Sequence, residues 1–525
     1  MKKYIYIGIM ALSLASCSDF LDELPDNRIE LTKESLISKL LVSAYPSTHN
    51  ALIGEFYSDN VEENNRAYTY WQKLEEDIFR LEDTYEENQD SPTALWQDCY
   101  ASIASANTAL QKIAEYGDPA SLSAQKGEAL ICRAYAHFLL ATIFCEVYDP
   151  ETADQYMGVP YITAPSTDIY PPSDRGTLAE TYAAIEKDLV AALPLIRDDA
   201  YSVIKYHFNQ KAAYAFAARF YMYYRQSDGS NYKKVIEYAD RVLGTGDVTS
   251  VLRDWHYLGT LNANNPNSTT LAPQSSEYIS AAEDANLLLQ SCSSCGGCID
   301  PAWTMSMRYA HNGVTAKEDC ESTGLWGGYS SFYQQPFSTT GSPKKGFRRI
   351  TLIQKVAISG ESFYPYAVYP VFTTDETLLT RAEAYTLLKD YDAATSDIAA
   401  WIHNFTSSNA EVTQERIQDF YGSMDYWDPY ETQNVSVKKR LSPNFTLDDE
   451  QENFIHCILH CRRVLTLGEG LRWQDIRRYG ITVYRRYFEG DQLQQILDVM
   501  DKNDLRRVVQ IPRTAIIAGV EANPR

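Results

Sequence analysis

Pairs of amphipathic helices constrain the fold of this chain more than any other feature of its sequence. Apolar residues recur at helical spacing over residues 209–224 and 232–243, and again over residues 375–388 and 392–405. Small residues stand where such helices would cross closely: Ala213, Ala217, Ala239, Ala382 and Ala394. Repeated helix–turn–helix units of this kind are typical of tetratricopeptide-like repeats. The pattern therefore predicts a mostly α-helical protein with paired helices as its scaffold.

Three longer stretches extend the helical part toward the N-terminus. Helical periodicity is clear over residues 94–114, 126–147 and 177–193, and the middle stretch is rich in alanine. Together with the paired helices, they predict a scaffold over about residues 94–245 and 374–406.

The pattern changes between these two parts of the scaffold, over residues 248–372. Helical periodicity weakens there, Gly, Ser, Asn and Pro become more frequent, and aromatic residues remain. A loop-rich insertion of this length in a compact protein is usually functional or disordered, and its aromatic content argues against disorder. We therefore expect residues 248–372 to be an irregular part that carries a ligand site.

The N-terminal residues predict export and lipid attachment. Basic residues at positions 2 and 3 precede an apolar run over residues 4–12, and the lipobox LASC ends at Cys17. The run is too short to span a bilayer, which indicates a signal peptide over residues 1–16. Acylation of Cys17 would supply the two or more acyl chains that stable anchoring needs, with residues 17–25 as an acidic tether. The alternative is an ordinary secretory signal that happens to end in cysteine.

The charge balance excludes two classes of partner. The chain has 47 basic and 70 acidic residues, hence a formal net charge of −23. Such a charge repels nucleic acid and anionic lipid headgroups, so membrane attachment must depend on the lipid at Cys17. No second apolar run of membrane-spanning length follows the signal peptide.

The dense group of cysteines leaves two interpretations open. Cys292, Cys295 and Cys298 form a C-x2-C-x2-C pattern in a Ser/Gly-rich segment, and Cys320 is the next cysteine along the chain. Such a pattern can hold zinc or begin an iron–sulfur site. The usual fourth ligand and following proline are missing, and exported proteins meet an oxidising compartment, so a local disulfide is favoured.

Motifs of the common enzyme classes are missing from the sequence. It contains no G-x-S-x-G, no H-E-x-x-H, no phosphate loop and no dinucleotide fingerprint. A glycosidase would need two positioned carboxylates, but among 70 acidic residues a pair can always be found, so this signal has no specificity. We therefore expect no catalysis, no cofactor and no bound metal ion.

Five motifs follow one another in order along the chain. They are the lipobox with CSDFLD at Cys17, WxxxYxxIxxxN from Trp96, GEALxxRAYAHF from Gly127 with a G-x-P tail at Gly158, ETLLxRAEA from Glu376, and EGLRWQDIRR from Glu469. In this order the chain resembles, over nearly its whole length, the SusD/RagB family of Bacteroidetes outer-membrane nutrient-binding lipoproteins. It departs from the family pattern before Glu469, where Cys461 and Leu465 replace the usual Glu residues. That departure leaves the family's ion-pair network at this place in question.

Within these motifs the charged residues have structural interpretations. Arg133 and Arg381 lie in alanine-rich helices, where a buried guanidinium needs a carboxylate partner. Glu469, Arg472 and Asp475 are three residues apart and would form a charge ladder on one helical face.

The resemblance implies a single domain over residues 26–525, with tetratricopeptide-like helix pairs as scaffold and a loop-rich ligand-binding part. It also implies a partner, a SusC-like TonB-dependent outer-membrane transporter that the lipoprotein covers like a lid. Family ligands are mostly oligosaccharides and, for some members, peptides. The predicted function is non-catalytic capture of glycans at the cell surface and their delivery to the transporter. The alternatives are a RagB-like peptide-binding protein and, less favoured, a glycosidase.

Two segments combine the residue types that bind sugars, residues 59–71 and 303–333. Sugars stack their apolar faces on Trp or Tyr and have their hydroxyls fixed by amide, carboxylate and guanidinium groups. The candidate ligand-binding residues are Trp303, Trp326, Tyr329, Trp71 and Tyr70, with Asn312, Arg308 and Asp59 as polar neighbours. Ordinary packing is the alternative for each aromatic residue, and Trp96, inside a helical motif, is expected in the core.

Overall fold

The computed structural model of the protein describes residues 34–69, 71–165, 174–264, 271–294, 307–338, 345–351, 353–356 and 363–525. The helices in these residues are α1 (Glu34–Leu41), α2 (Ala51–Tyr57), α3 (Lys73–Phe79), α4 (Pro92–Glu115), α5 (Ser123–Phe144), α6 (Leu178–Ala192), α7 (Gln210–Tyr223), α8 (Ser230–Leu243), α9 (Trp255–Thr260), α10 (Pro273–Tyr278), α11 (Gly313–Glu318), α12 (Thr374–Leu387), α13 (Tyr391–Phe405), α14 (Gln414–Ser423), α15 (Asp449–Leu465), α16 (Arg472–Arg478) and α17 (Arg513–Ile517). The fold is mostly α-helical, as predicted.

The strands are short and form three small sheets. They are β1 (Glu62–Glu63), β2 (Asn286–Cys292), β3 (Tyr309–Ala310), β4 (Phe337–Ser338), β5 (Lys345–Gly346), β6 (Ile353–Val356), β7 (Phe363–Thr373), β8 (Val483–Glu489) and β9 (Gln492–Met500). The strand orders are β3-β1-β8-β9, β2-β7-β6 and β4-β5. Most strands thus come from the predicted loop-rich insertion or from the residues after α16.

The two predicted helix pairs are present, with α7 packed against α8 and α12 against α13. Helix α5 lies against α4 and α6. Their bounds agree with the sequence periodicity to within a few residues. Local sequence determines where they start: the Thr177 hydroxyl accepts from the Glu180 N–H at 3.1 Å, and the Asn209 side chain accepts from the Ala212 N–H at 3.0 Å.

Two buried arginine–aspartate pairs hold helices of the scaffold together. Arg133 of α5 donates two hydrogen bonds to Asp188 of α6, both at 2.7 Å. Arg381 of α12 does the same to Asp397 of α13, at 2.8 and 2.7 Å. Bidentate geometry satisfies both charged groups away from water. The predicted carboxylate partners of Arg133 and Arg381 are confirmed.

Helix α5 is the centre of the helical core. With the turn before it, Ala120–Phe144 is long and apolar enough to cross a membrane, the one such helix among the described residues. Its apolar window is wholly buried by the rest of the protein, which is the state of a core helix. Trp96 of α4 packs against it, with its ring 5.1 Å from that of Phe144.

Replacing Trp96 by alanine should destabilise the fold. Trp96 is 6% exposed, and removing a buried indole leaves a cavity that costs about 3–5 kcal/mol. The free energy of unfolding from denaturant titration measures the effect. Trp71→Ala, at a ring that is 40% exposed, is the control and should change it little. Equal losses in the two variants would contradict this account of the core.

Candidate ligand-binding face

Three short strands bring distant parts of the chain together beside α11. Strand β1 pairs with β3, with Glu63 opposite Tyr309, and with β8, with Glu63 opposite Tyr487. The Tyr309 hydroxyl donates to Glu76 of α3 at 3.1 Å. Strand β3 leads into α11, and Trp71 lies between β1 and α3, which both contact β3.

Tyr329 flanks α11 on another side. It begins a single 3-10 turn that is anchored to the end of α13, since the Ser407 N–H donates to the Ser331 carbonyl at 2.8 Å. Lys345 of β5 interacts electrostatically with Tyr329 and forms a 2.8 Å ion pair with Glu321, just beyond α11. The phenol of Tyr329 is 38% exposed.

The loop after α14 forms a third side. The Lys317 ammonium donates to the Thr432 carbonyl at 2.7 Å, and the Trp427 indole N–H donates to Glu318 at 2.8 Å. Tyr430 on this loop is 70% exposed. We call the surface around α11 the α11 face; its residues are 62–69, 71, 307–335, 425–434 and 487–491.

Buried charges lie directly under the α11 face. Asp59 accepts two hydrogen bonds from Arg472, at 2.9 and 2.8 Å, and lies 2.8 Å from the Lys439 ammonium. The same ammonium lies 2.9 Å from Glu318. Arg463 contacts Asp59 at 3.4 Å and Glu318 at 3.1 Å. We call Asp59, Glu318, Lys439, Arg463 and Arg472 the ion cluster.

The ion cluster keeps both of its carboxylates ionised. Burial alone would raise the pKa of Asp59, but the three cations, Arg463 first, hold that pKa well below its ordinary value. Burial would likewise raise the pKa of Glu318, and Lys439, Arg463 and the nearby Arg486 lower it to about 2. Attraction between opposite charges therefore outweighs desolvation at both carboxylates.

Strand β1 extends this network to the edge of the face. Glu62 accepts a hydrogen bond from Nε of Arg486 at 2.8 Å. Glu63 accepts from Nε of Arg308 at 2.8 Å and from Nε of Arg66 at 3.1 Å. The guanidinium of Arg66 is about half-exposed, so it is the member of this group that solvent or a ligand reaches.

The predicted charge ladder is wrong. Helix α16 begins at Arg472, after a turn, so Glu469 does not lie on its surface. Glu469 instead accepts a hydrogen bond from the Tyr278 hydroxyl, and burial raises its pKa to about 7. Arg472 points to the ion cluster, and Asp475 pairs with Arg462 at 3.1 Å.

An ion-pair network is present at the place where the chain departs from the family pattern. Cys461 and Leu465 are buried as apolar residues in α15. Beside them, Arg462 contacts Asp475 at 3.1 Å and Glu376 at 3.3 Å. Neighbouring residues thus supply the charges that the two replaced positions lack.

The predicted aromatic candidates fall into three groups. Trp71 and Tyr329 are exposed on the α11 face. Trp303 and Tyr70 lie outside the described residues. The expectation that Trp326 is an exposed ring is wrong: it is 2% exposed and packs against His460, with ring centroids 4.6 Å apart. A loop-rich segment of this size needs core residues of its own, and Trp326 is one of them.

The predicted polar candidates are engaged within the protein. Asp59 is buried in the ion cluster, and Asn312 is fully buried as the N-cap of α11, accepting from the Val314 N–H at 2.9 Å. Arg308 is ion-paired with Glu63. These residues shape the face rather than present free polar groups on it, which corrects the expectation for Asp59 and Asn312 as ligand contacts.

Two residues of this face escape prediction from local sequence. The loop of Tyr430 lies outside both predicted segments and reaches α11 only through tertiary contacts such as the hydrogen bond from Lys317 to Thr432. Arg66 lies within a predicted segment, but its exposure depends on the strand pairing of β1.

The cysteine pattern is partly described. Cys292 and Cys320 are buried free thiols, whereas Cys295 and Cys298 lie outside the described residues. In the described part of the chain, no three His, Cys, Asp or Glu residues are placed to hold a metal ion.

Comparison with known proteins bears on the fold and the family. Residues 19–222 match the model of a SusD-like family described as starch-binding and associating with the outer membrane. A SusD superfamily protein from Bacteroides vulgatus has the same fold, with a TM-score of 0.60 and 18% identity over 93% of this chain and 97% of its own. A SusD superfamily protein from Bacteroides thetaiotaomicron matches at 0.59 and 19% identity, over 93% and 98%.

A SusD-like carbohydrate binding protein from Bacteroides vulgatus is also similar, with a TM-score of 0.61 and 16% identity over 92% of this chain and 96% of its own. No curated protein matches the chain. The resemblance to the SusD/RagB family predicted from the sequence is confirmed: the family model matches over residues 19–222, and the solved SusD-like structures share the fold.

Replacing Glu318 by glutamine should change the response of stability to acid. The folded pKa of Glu318, about 2, lies below its ordinary value of 4.5. Its stabilising contribution is therefore complete above pH 4.5 and is lost as the pH falls toward 2. Glu318→Gln should lower the free energy of unfolding at neutral pH by about 3–5 kcal/mol, because buried cations lose a partner. It should also flatten the acid limb of a plot of stability against pH.

Glu321→Gln is the matched control. Glu321 pairs with the partly exposed Lys345, and such surface pairs contribute about 0–1 kcal/mol. An acid limb in Glu318→Gln as steep as in the wild type would contradict the account of the ion cluster.

Proposed function

We propose that this protein is a surface-exposed, non-catalytic lipoprotein that captures oligosaccharides and delivers them to a SusC-like TonB-dependent transporter. The observation that carries the proposal is the α11 face, where Trp71 and Tyr329 are exposed on loops fixed by buried charges. Residues 26–525 are proposed as one domain, with residues 248–372 as the main ligand-binding insertion. The family description, starch-binding and associating with the outer membrane, supports this function.

Exposed aromatic rings on a fixed backbone suit sugar binding. A pyranose presents apolar C–H faces that stack on indole or phenol rings, and the hydroxyls around the sugar need polar groups for orientation. Because the ion cluster and the strand pairs hold the loops in place, binding loses less free energy in ordering them. Arg66 is an exposed cation on the α11 face and is suited to orient sugar hydroxyls. Its guanidinium stacks over the ring of Tyr487, 4.1 Å from the ring centroid.

The charges near the α11 face suit binding rather than hydrolysis. A glycosidase needs one carboxylic acid that donates a proton and one free carboxylate. Asp59, Glu62, Glu63 and Glu318 are each paired with a cation. The neighbouring cations hold the pKa of Asp59, Glu63 and Glu318 below its ordinary value despite burial, so these three carboxylates are not the protonated acid that hydrolysis needs.

The proposed location follows from the lipobox at Cys17. A lipid anchor and an acidic tether would hold the domain at the outer membrane with its ligand face free to meet glycans and the transporter. Peptide capture is the alternative function. Measured binding of a polysaccharide would argue against it.

Alanine at the exposed rings should weaken oligosaccharide binding without unfolding the protein. Tyr329→Ala and Trp71→Ala should each cost about 1–3 kcal/mol of binding, a tenfold or greater rise in Kd, because each removes a stacking surface. Trp303→Ala tests the candidate outside the described residues in the same way. Isothermal titration against a panel of oligosaccharides, with starch fragments first, measures the effect.

Two controls accompany these titrations. Val42→Ala alters another exposed apolar side chain, 62% exposed on the scaffold side of the chain, and should leave Kd unchanged. Chromatography after long incubation should recover the oligosaccharide intact. Normal binding by Tyr329→Ala, Trp71→Ala and Trp303→Ala would refute the site, and shorter products would refute the non-catalytic role.

Replacing Cys17 by alanine should release the protein from the membrane. Without the acylated cysteine, no basic patch compensates at a net charge of −23. Fractionation of cells expressing Cys17→Ala should find the protein outside the membrane fraction, and external protease should digest the wild type on intact cells. Protection of the wild type from external protease would argue against surface exposure.

A further inference from the structure

We propose that a second site, a cleft separate from the α11 face, binds a sugar unit that carries a carboxylate. The cleft has a volume of about 280 Å³ and lies where the ends of α5 and α7 meet residues 442–445, 477–480 and 502–507. It shares no lining residue with the α11 face. The proposal goes beyond the proposed function and does not depend on binding at that face.

The charge of the cleft is opposite to that of the protein. Five basic residues and two acidic residues line it, in a chain with a net charge of −23. The basic residues are Arg225, Arg477, Arg478, Lys502 and Arg507, and the acidic residues are Glu146 and Asp504. A concave surface with one sign of charge concentrates ions of the other sign.

Two of these guanidiniums lack a carboxylate partner among the described residues. Arg477 donates to the Thr142 carbonyl at 2.6 Å, at the end of α5. Arg507 donates to the carbonyls of Ile476 at 2.8 Å and Ile481 at 2.9 Å. Carbonyl dipoles at helix ends stabilise a cation only in part, so positive charge remains near the cleft.

The same two arginines also repel each other. Burial lowers the pKa of Arg507 to about 10, and the charge of Arg477 contributes to that lowering. Glu146 interacts favourably with both but forms no ion pair with either within the described structure. An anionic guest would supply the missing negative charge.

The mouth of the cleft is accessible and can accept that guest. Lys502 is exposed, and Asp504 is occupied by a 2.6 Å pair with Arg506. Arg225 pairs with Asp149 at 2.9 Å and so is already compensated. Arg478 pairs with Glu383 at 2.5 Å and with Asp475 at 2.9 Å. Among the described residues that line the cleft, the exposed cation without an ion pair is therefore Lys502.

Aromatic and amide groups make the cleft suited to a sugar rather than to a simple anion. Tyr156 is 43% exposed, and Phe445 lies under the guanidinium of Arg225 at 5.2 Å. Asn444 and Asn503 also line the cleft. Rings that accept a pyranose face, amides that bind hydroxyls and cations that bind a carboxylate together fit a uronic acid unit.

The test compares an acidic trisaccharide of galacturonate with its neutral methyl ester, by isothermal titration. We expect the acid to bind more tightly than the ester, and its binding to weaken with added salt because the attraction is electrostatic. Lys502→Gln and Tyr156→Ala should each weaken binding of the acid by about tenfold. Both residues are exposed, so neither change should unfold the protein; circular dichroism checks this.

Two control variants distinguish binding in the cleft from binding elsewhere on the protein. Lys39→Gln removes an exposed charge on α1, away from the cleft, and should leave binding of the acid unchanged. Trp71→Ala alters the α11 face and should also leave it unchanged. The proposal is overturned if the acid does not bind at millimolar concentration, if the ester binds as tightly, or if Trp71→Ala abolishes binding while the cleft variants retain it. None of these results bears on neutral oligosaccharides at the α11 face.

Discussion

The ion cluster is the interaction on which the α11 face depends. Asp59 and Arg472 are 413 residues apart in the chain and form two hydrogen bonds. Lys439 joins that pair to Glu318 of α11. The segment around α11 also buries apolar residues such as Trp326, and charges that are costly to bury add to this packing when each has partners. The cluster thereby converts separate loops into one preformed surface.

The helical scaffold uses the same chemistry in a simpler form. Arg133–Asp188 and Arg381–Asp397 each join adjacent helices through one bidentate pair. The partners in each pair lie on facing helices, and Arg381 also contacts Asp240 of α8 at 2.8 Å. On the α11 side short strands and loops take the place of facing helices, and a network with several cations joins them.

Local and long-range features differ in how far the sequence predicts them. Periodicity predicts the helix over residues 209–224, and the structure has it at Gln210–Tyr223, because an amphipathic stripe is a local property. The prediction fails for Trp326 because a segment without periodicity still buries some rings, here against Trp401. The partners of Asp59 could not be predicted, since nothing in the local sequence shows which distant arginine reaches it.

The buried charges are fixed in place, whereas the exposed rings are free to be substituted. This difference affects how the ligand specificity of such a surface can change through mutation. The buried members of the network, Glu318 among them, cannot be altered without leaving an uncompensated charge, whereas Trp71, Tyr329 and Tyr430 make few demands on the fold. The surface can therefore exchange aromatic and polar residues while the backbone beneath stays in place. Ligand specificity then varies at small cost in stability, which is the property expected of a binding protein whose scaffold is shared and whose substrates differ.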